Sequence, residues 1–352
     1  MTIALYYDAL FLEHDTGAHP EKAIRLTACV DRLAEVGLWD QVEHPNFAPA
    51  PWEALTACHD EHYLRFLQQT ARRGGGYLTP DTPFGRHSFD AARLASGAAI
   101  QAVEAVLDGK FPQAFILSRP PGHHATHNQG MGFCLINHAA VAVRHLVHGR
   151  GLERVLIVDF DVHHGNGTQD IFYEDPAVLY ISTHQYPAYP ATGSLREVGR
   201  GAGAGFTVNV PLPAAVGDAG YARIYEQVVA PAARRFRPQF CFISAGYDAH
   251  WTDHRYLSSI RMQVSVAGFT AIVRQLRDLA EELCAGRVVF LLEGGYDPTA
   301  LSGSVLATLN VLLHRPVEDP LGPSPHGWPE PDVGPLIANV REIHDLGTHS
   351  RR

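Results

Sequence analysis

The chain has 352 residues, of which 46% are hydrophobic and 18% charged, and its formal net charge is −9 at pH 7. This length and composition provide for a large buried core. No run of about 18 apolar residues occurs, so we expect no membrane span, and the lack of any basic run argues against a nucleic-acid partner.

The cysteines are odd in number, widely scattered and without a C-x-x-C pair: Cys29, Cys58, Cys134, Cys241 and Cys284. A disulfide framework or a cysteine–zinc site is therefore not expected, and a reducing cytoplasm suits such a chain. The first eight residues lack the basic and apolar regions of a secretory signal and are more typical of a strand. We expect a cytoplasmic protein, and homo-oligomer formation stays open.

Short β-branched runs alternate with longer segments of helical periodicity. This pattern is typical of a parallel sheet covered by helices on both faces. The predicted strands lie at residues 3–7, 114–118, 154–158, 177–182, 206–210, 240–244 and 288–292.

Three helices are predicted between these strands. Ser88 is expected to cap a helix that runs to Asp108. A second helix is marked by an apolar stripe, and a third spans Val266–Cys284 and stops at Gly286. The stripe consists of Leu26, Val30, Leu33 and Val36.

Five prolines between residues 316 and 329 predict an extended surface segment, followed by a short terminal helix. They do not indicate a domain boundary, because neither an internal repeat nor a low-complexity linker is present. We expect residues 1–352 to form a single catalytic domain, with residues 316–352 packed on it as a tail.

Polar clusters follow the carboxyl ends of five predicted strands. They occupy residues 119–124, 159–163, 182–184, 246–250 and 293–296. In open α/β sheets, ligands bind outside the carboxyl ends of the strands. The five clusters therefore predict one shared site.

The stretch DFDVHHGNG at residues 159–167 is the most informative of these clusters. Side chains alternate along an extended strand, so Asp159, Asp161 and His163 point to one face. Two carboxylates and an imidazole suit zinc. A solvated loop or a hydrogen-bond network is the alternative, although buried charges need partners. A third ligand is expected from a neighbouring strand end, where Asp248 is the candidate, although it could equally cap a helix.

Two further motifs carry groups that could move a proton or donate a hydrogen bond. In RPPGHH, at residues 119–124, two prolines and a glycine fix a turn that presents His123 and His124. Histidine suits proton transfer near neutral pH, although a structural pair is the alternative. In LEGGY, at residues 292–296, Tyr296 could donate to a developing oxyanion or simply pack. His164 is interpreted as structural.

Together, RPPGHH, DFDVHHGNG, GYDAH and LEGGY, in this order, resemble the zinc-dependent histone deacetylase and acetylpolyamine amidohydrolase family. The resemblance extends from residues 13–21 to about residue 315, and it is closer to the class II branch and its bacterial relatives. It implies the arginase-like three-layer α/β/α sandwich with a central, mostly parallel sheet.

The resemblance also implies a role for each matching residue. One Zn²⁺ would be held by Asp161, His163 and Asp248. His123 and His124 would be the tandem histidines, with Asp159 as the partner of His123 and Tyr296 polarising the carbonyl. Gly132 and Phe133 would form one wall of the acyl-lysine channel, opposite Tyr189. A structural K⁺ would involve Asp159, Asp161, His163, Ser182 and Thr183.

The chain departs from the family pattern in three places. Asn166 stands where class I members carry an aspartate, so His124 should be less basic. The segment at residues 19–25 lacks a usual second proline but keeps Arg25. Residues 252–262 do not follow the usual rim pattern. Acidic residues expected at the rim are Asp81, which could hold a substrate or form a turn, and Glu13, Asp15 and Asp253, which could favour polyamines.

The predicted function is therefore hydrolysis, by metal-activated water, of the N-acetyl or N-acyl amide of acyl-lysine, an acetylpolyamine or a related small acylated amine. One alternative is a catalytically silent zinc-dependent protein that binds acyl-lysine. The other is an arginase-like ureohydrolase, but its second metal needs a carboxylate at the position of Gly165.

Overall fold

A computed structural model describes residues 2–347 of the chain. Its strands are β1 Ala4–Tyr6, β2 Gly75–Tyr77, β3 Pro83–Gly85, β4 Gln113–Ile116, β5 Val155–Asp159, β6 Val178–Gln185, β7 Thr207–Leu212, β8 Phe240–Ala245 and β9 Val288–Leu292. Seven of them form one sheet in the order β1-β4-β9-β8-β5-β6-β7, and every neighbouring pair is parallel. All seven predicted strands are in this sheet, which confirms the predicted parallel architecture.

The helices are α1 Ile24–Glu35, α2 Trp52–Thr56, α3 Glu61–Arg72, α4 Ser88–Leu107, α5 His138–Arg144, α6 Asn166–Phe172, α7 Asp218–Ile224, α8 Ala230–Phe236, α9 Val266–Cys284, α10 Pro298–Leu312 and α11 Gly334–Ile343. They cover both faces of the sheet. Because side chains alternate along a strand, Val155 and Ile157 of β5 face one core, with α3 and α5. The next residues of β5, Leu156 and Val158, face the other core, with α1, α9 and α10. The predicted three-layer α/β/α sandwich is confirmed.

Two local predictions about helices are wrong. Ser88 is the first residue of α4 and not its cap, which is His87. The Ser88 hydroxyl instead accepts the Gly85 N–H and bonds the ring of His14, so tertiary contacts use the group that would otherwise cap the helix. Val36 does not belong to the apolar stripe of α1, because it follows the helix end and is 42% exposed.

One element was not predicted, the antiparallel hairpin of β2 and β3. Its strands are three residues long, and β2 is the glycine-rich sequence Gly75–Tyr77, which has neither alternation nor β-branched residues. Gly75 has φ +97°, and a Cβ there would lie 1.9 Å from the carbonyl oxygen of Phe84. The close approach of the two strands thus requires glycine at this position.

The sheet brings the carboxyl ends of five of its strands close together, those of β4, β5, β6, β8 and β9. β5 lies between β8 and β6, and its last residue, Asp159, is paired in register with Ser244 of β8 and Ser182 of β6. β9 and β4 continue the sheet beyond β8. The residues that follow these strands are therefore neighbours in space although they are far apart in sequence.

The packing of α4 gives a first prediction. Gly97 is buried in α4, and a Cβ there would lie 1.9 Å from the backbone oxygen of Ala48. Gly97→Ala should therefore lower the free energy of unfolding by about 1–3 kcal/mol, because the contact is with backbone. Gly303→Ala in α10 is the matched control. A Cβ at Gly303 comes no closer than 3.6 Å to another atom, and helix propensity should add roughly 1 kcal/mol of stability. Urea unfolding measures both variants, and a Gly97→Ala protein as stable as wild type would contradict the packing described.

Candidate active site

Three metal-binding side chains converge beyond the ends of β5 and β8. Asp161 and His163 follow β5 and Asp248 follows β8, and ligand atoms of all three lie within 4.8 Å of one another. His163 Nδ1 is 3.1 Å from Asp161 Oδ1 and 3.0 Å from Asp248 Oδ2. All three residues are buried. Two glycines allow this crowding, since a Cβ on Gly246 would lie 2.0 Å from Asp161 Oδ2 and one on Gly294 would lie 2.4 Å from Asp248 Oδ2.

The charges of this triad favour a bound cation. Backbone N–H groups occupy one oxygen of Asp248 and both oxygens of Asp161, whereas the other oxygen of Asp248, Oδ2, faces the ring of His163 at 3.0 Å. Burial alone would lower the pKa of His163, yet the two carboxylates outweigh it and raise that pKa to about 9. The two buried carboxylates thus favour positive charge at this point. Two carboxylates and one imidazole fit a divalent ion such as Zn²⁺.

The paired histidines lie beside the triad and have different partners. His123 Nδ1 is 3.0 Å from Asp159 Oδ2, and His124 Nδ1 is 2.7 Å from Asn166 Oδ1. Burial alone would lower the pKa of His123, but Asp159 and other nearby carboxylates raise it to about 10. Burial, together with the rings of His123 and His163, holds the pKa of His124 well below its usual value. One histidine of the pair therefore favours the charged form and the other the neutral form.

The low pKa of His124 has a different main cause from the one the sequence suggested. Burial is its largest cause, whereas the hydrogen bond with Asn166 acts in the opposite direction and raises the pKa. The amide oxygen of Asn166 accepts the Nδ1 proton of His124, which leaves Nε2 of a neutral ring without its proton. That ring nitrogen is the one available to accept a proton.

Glu293 fixes the turn that carries the two histidines. Its Oε2 accepts the N–H groups of Gly122 and His123 at 2.7 and 3.2 Å, and its Oε1 accepts the Ser244 hydroxyl at 3.0 Å. This role of Glu293 was not predicted from the sequence. The available signal was a charged residue directly after the wholly apolar strand β9, where a buried carboxylate needs hydrogen-bond donors.

Aromatic rings line the approach to the triad. Phe133 packs edge-on against Tyr296 at 5.8 Å between ring centres, and Tyr189 packs edge-on against His124 at 5.2 Å. Gly132 lies between these groups, and a Cβ there would be 2.4 Å from the ring of His124 and 2.9 Å from that of Tyr189. The structure thus brings all three predicted channel residues to the candidate site.

Comparisons with known proteins lead to the same family that the four sequence motifs resemble. Residues 19–312 match the model of the histone deacetylase domain. A probable deacetylase of Archaeoglobus fulgidus is 42% identical over 299 residues, which are 84% of this chain and 82% of that protein. The histone deacetylase-like amidohydrolase of Pseudomonas aeruginosa is 37% identical over 342 residues, covering 90% and 88%. The crystal structure of the HDA15 HD domain matches with a TM-score of 0.86 and 36% identity, over 98% of this chain and 96% of that one.

The chain belongs to the histone deacetylase family. The resemblance found in four sequence motifs is thereby confirmed, and the protein is a hydrolase of the deacetylase and amidohydrolase type. The family is generally metal-dependent, in keeping with the triad of Asp161, His163 and Asp248. No helix within residues 2–347 is long and apolar enough to cross a membrane.

Among the residues predicted for the rim of this family member, Asp253 is not where we expected it. Asp253 is 1% exposed and faces inward, because its Oδ1 accepts the N–H groups of Tyr296 and Asp297. It is therefore not an acidic group at the channel mouth. Glu13 and Asp15 are exposed.

Asp81 is part-buried in a turn beside the channel. It accepts the hydroxyls of Thr79 and Thr82, and Thr82 Oγ1 in turn accepts the Phe133 N–H at 3.1 Å. Asp81 thus supports the turn that holds the backbone of Phe133.

The residues predicted to contact potassium include Asp161 and His163 of the triad, and the other three, Asp159, Ser182 and Thr183, lie in β5 and β6. Asp159 Oδ1 accepts the Asp161 N–H at 3.2 Å, while Ser182 bonds the ring of His184 at 2.9 Å and Thr183 is 3.4 Å from the Tyr225 hydroxyl. All of these side chains are buried.

Buried histidines behind the His123–His124 turn give a second prediction. His59 donates from Nδ1 to Thr126 O at 2.9 Å and accepts the Asn137 N–H on Nε2 at 3.0 Å, so its ring is neutral. Burial lowers the pKa of His59 to about 4. Between about pH 6.5 and pH 4 the unfolded chain binds a proton here and the folded chain does not, so stability should fall as the pH falls, by about 1.4 kcal/mol per pH unit.

His59→Gln removes this contribution. Urea unfolding between pH 7 and pH 5 should therefore show a shallower loss of stability in the variant than in wild type, whatever their absolute stabilities. Equal pH slopes would contradict a neutral, buried His59.

Proposed function

We propose that this protein is a zinc-dependent amidohydrolase that removes an acetyl or other acyl group from the nitrogen of an acylated lysine, an acetylpolyamine or a related small acylated amine. The observation that carries the proposal is the convergence of the buried side chains of Asp161, His163 and Asp248, next to a neutral His124. A cation site and a proton acceptor are thus adjacent at one end of an aromatic-lined passage.

Asp161, His163 and Asp248 would hold the metal, and the donor set of two carboxylates and one imidazole leaves a coordination position open. Bound Zn²⁺ would supply a Lewis acid for the substrate carbonyl and lower the pKa of a water molecule. Their own hydrogen bonds orient the carboxylates, since Asp161 accepts the Gly294 N–H at 2.8 Å and Asp248 accepts the Val162 N–H at 2.9 Å.

His124 would act as the general base and then as the general acid. Its unprotonated Nε2 would take a proton from the attacking water and later return one to the leaving amine. His123, paired with Asp159, would remain charged and orient its neighbour, whose ring centre is 4.1 Å away. The two pKa shifts, in opposite directions, suit this division of roles.

Tyr296 would donate its hydroxyl to the oxyanion that forms when the carbonyl is attacked. Its ring packs against Phe133, and the guanidinium of Arg25 lies 5.0 Å from the ring centre. Phe133 and Tyr189 would enclose the apolar methylene stem of the substrate and exclude water. A linear acylated amine is the substrate shape that such a passage would accept.

Two further assignments accompany this function. A structural K⁺ would lie close to Asp159, Asp161, His163, Ser182 and Thr183, where the register of β5 and β6 pairs Asp159 with Ser182. A reducing cytoplasm would be the compartment, and the five cysteines, which are all free thiols, are compatible with it.

The alternative functions are less compatible with the site. A silent binding protein would not need His123, His124 and Tyr296 together. A ureohydrolase would need a carboxylate at Gly165, but a Cβ there would lie 2.2 Å from Asp159 Oδ2 and 2.4 Å from the Tyr180 hydroxyl. This space has no room for another side chain.

The test is steady-state hydrolysis of an acetyl-lysine peptide, acetylputrescine and acetylspermidine by Zn²⁺-loaded protein. Tyr296→Phe should lower kcat by about 10²–10³-fold with little change in KM, because it removes an oxyanion donor. His124→Ala should lower kcat by about 10²–10⁴-fold, because it removes the general base.

Tyr77→Phe is the matched control, since that tyrosine is 72% exposed on the hairpin strand β2, and it should leave turnover unchanged. Near wild-type turnover in both Tyr296→Phe and His124→Ala would overturn the assigned roles. Release of no amine from any of the three substrates would overturn the proposed activity.

A further inference from the structure

The turn that carries Tyr296 is held by its backbone on two sides. Arg25 donates to the carbonyl oxygens of Glu293 and Gly295 at 2.5 and 2.6 Å. From another element, Asp253 Oδ1 accepts the N–H groups of Tyr296 and Asp297 at 2.6 and 3.0 Å. The carbonyls and the amides of one short turn are thus bound by two side chains, the guanidinium of Arg25 and the carboxyl group of Asp253.

Two glycines make the conformation of this turn dependent on contacts with other elements. Gly294 and Gly295 have no side chains to anchor it, and Gly295 has φ +115°, a conformation that glycine adopts readily. The backbone of Tyr296 is therefore free to pivot unless something fixes it. A shift of the backbone would move the hydroxyl away from the reacting carbonyl, and small misplacements of catalytic groups cost rate.

Capping of helix α10 does not explain Asp253. The side chain of Asp297 already caps that helix by accepting the N–H groups of Thr299 and Ala300, both at 3.0 Å. Asp253 accepts N–H groups that precede the helix. Burying its carboxylate is costly, as burial raises the pKa of Asp253 well above its usual value and Oδ2 has no hydrogen-bond partner. A carboxyl group that is costly to bury at this position is expected to have a role in the site.

Asp253 is itself anchored at the start of the unusual rim segment. It begins a short 3₁₀ turn, Asp253–Arg255. Just before it, Trp251 donates from its indole N–H to Gly322 O at 3.1 Å, and His326 packs edge-on against Trp251 at 5.9 Å between ring centres. The proline-rich segment therefore packs against the base of the rim and holds it in place.

We propose that Asp253 is a positioning residue for the reaction, whose buried carboxylate fixes the Tyr296 backbone and thereby the tyrosine hydroxyl at the substrate carbonyl. This inference rests on the proposed function, because it assigns a further residue to the same site. It also assigns the rim segment a second task besides forming the channel mouth.

A double-mutant cycle with Tyr296→Phe tests the proposal. Asp253→Ala should lower kcat about tenfold or more and change KM less than about twofold, because substrate binding does not use the tyrosine hydroxyl. In the Tyr296→Phe background, where no hydroxyl remains to be misplaced, the same substitution should cost less than about twofold. Asp253→Asn keeps an oxygen acceptor for the two amides and should restore kcat to within about threefold of wild type.

Glu330→Ala is the matched control, because Glu330 Oε1 also accepts two backbone N–H groups, those of Gly217 and Gly220 at 2.8 and 2.7 Å. It should leave kcat unchanged. Equal losses of kcat on adding Asp253→Ala to wild type and to Tyr296→Phe would overturn the proposal.

Amide hydrogen exchange separates failure of this inference from failure of the proposed function. In Asp253→Ala, exchange at Tyr296 and Asp297 should accelerate relative to wild type, to Glu330→Ala and to Asp253→Asn, which keeps the acceptor. Unchanged exchange at these two amides would overturn the inference even in an active enzyme. A wild type that hydrolyses no acylated amine would overturn the function, while faster exchange in Asp253→Ala would still support the anchoring role.

Discussion

Two buried carboxylates, Asp161 and Asp248, share one small space with the ring of His163 at the ends of neighbouring strands. Removal of carboxylates from water is costly unless positive charge or hydrogen-bond donors compensate them. Backbone N–H groups compensate only part of this charge, and the remaining oxygen of Asp248 faces the ring of His163. This concentration of buried negative charge favours a cation at this point, in keeping with a family that is generally metal-dependent.

The supporting contacts are themselves charged and buried. Arg119 forms two hydrogen bonds with the carboxylate of Glu21 at 2.5 and 2.8 Å, and Glu21 also pairs with Arg25 at 3.0 Å. Arg25 continues to the Tyr296 turn, while Glu293 holds the histidine turn. Because each of these groups is fully buried, loss of one partner leaves the other uncompensated, which is strongly destabilising. The network fixes the relative positions of the tyrosine, the histidines and the triad.

The sequence predicted the sheet, and it predicted that Asp161, His163 and Asp248 lie together, because both features produce strong local patterns. Apolar runs such as residues 154–158 end directly in charged residues, and parallel strands bring those ends together. It predicted the irregular parts poorly. Nothing in residues 252–262 indicates whether a carboxylate points outward or inward, so Asp253 was wrongly placed at the rim. Ser88 was wrongly taken for a cap because a serine before a helix can equally bond tertiary partners. Glu293 was overlooked because its donors, two backbone amides of a distant turn, leave no sequence pattern.

The most direct test of the account is X-ray diffraction at the zinc absorption edge from crystals of protein equilibrated with Zn²⁺, for wild type and Asp248→Asn. The account predicts one anomalous peak per chain in wild type, between the side chains of Asp161, His163 and Asp248, and a lost or strongly weakened peak in the variant. A wild-type structure with this fold and no anomalous peak among those three side chains would contradict it.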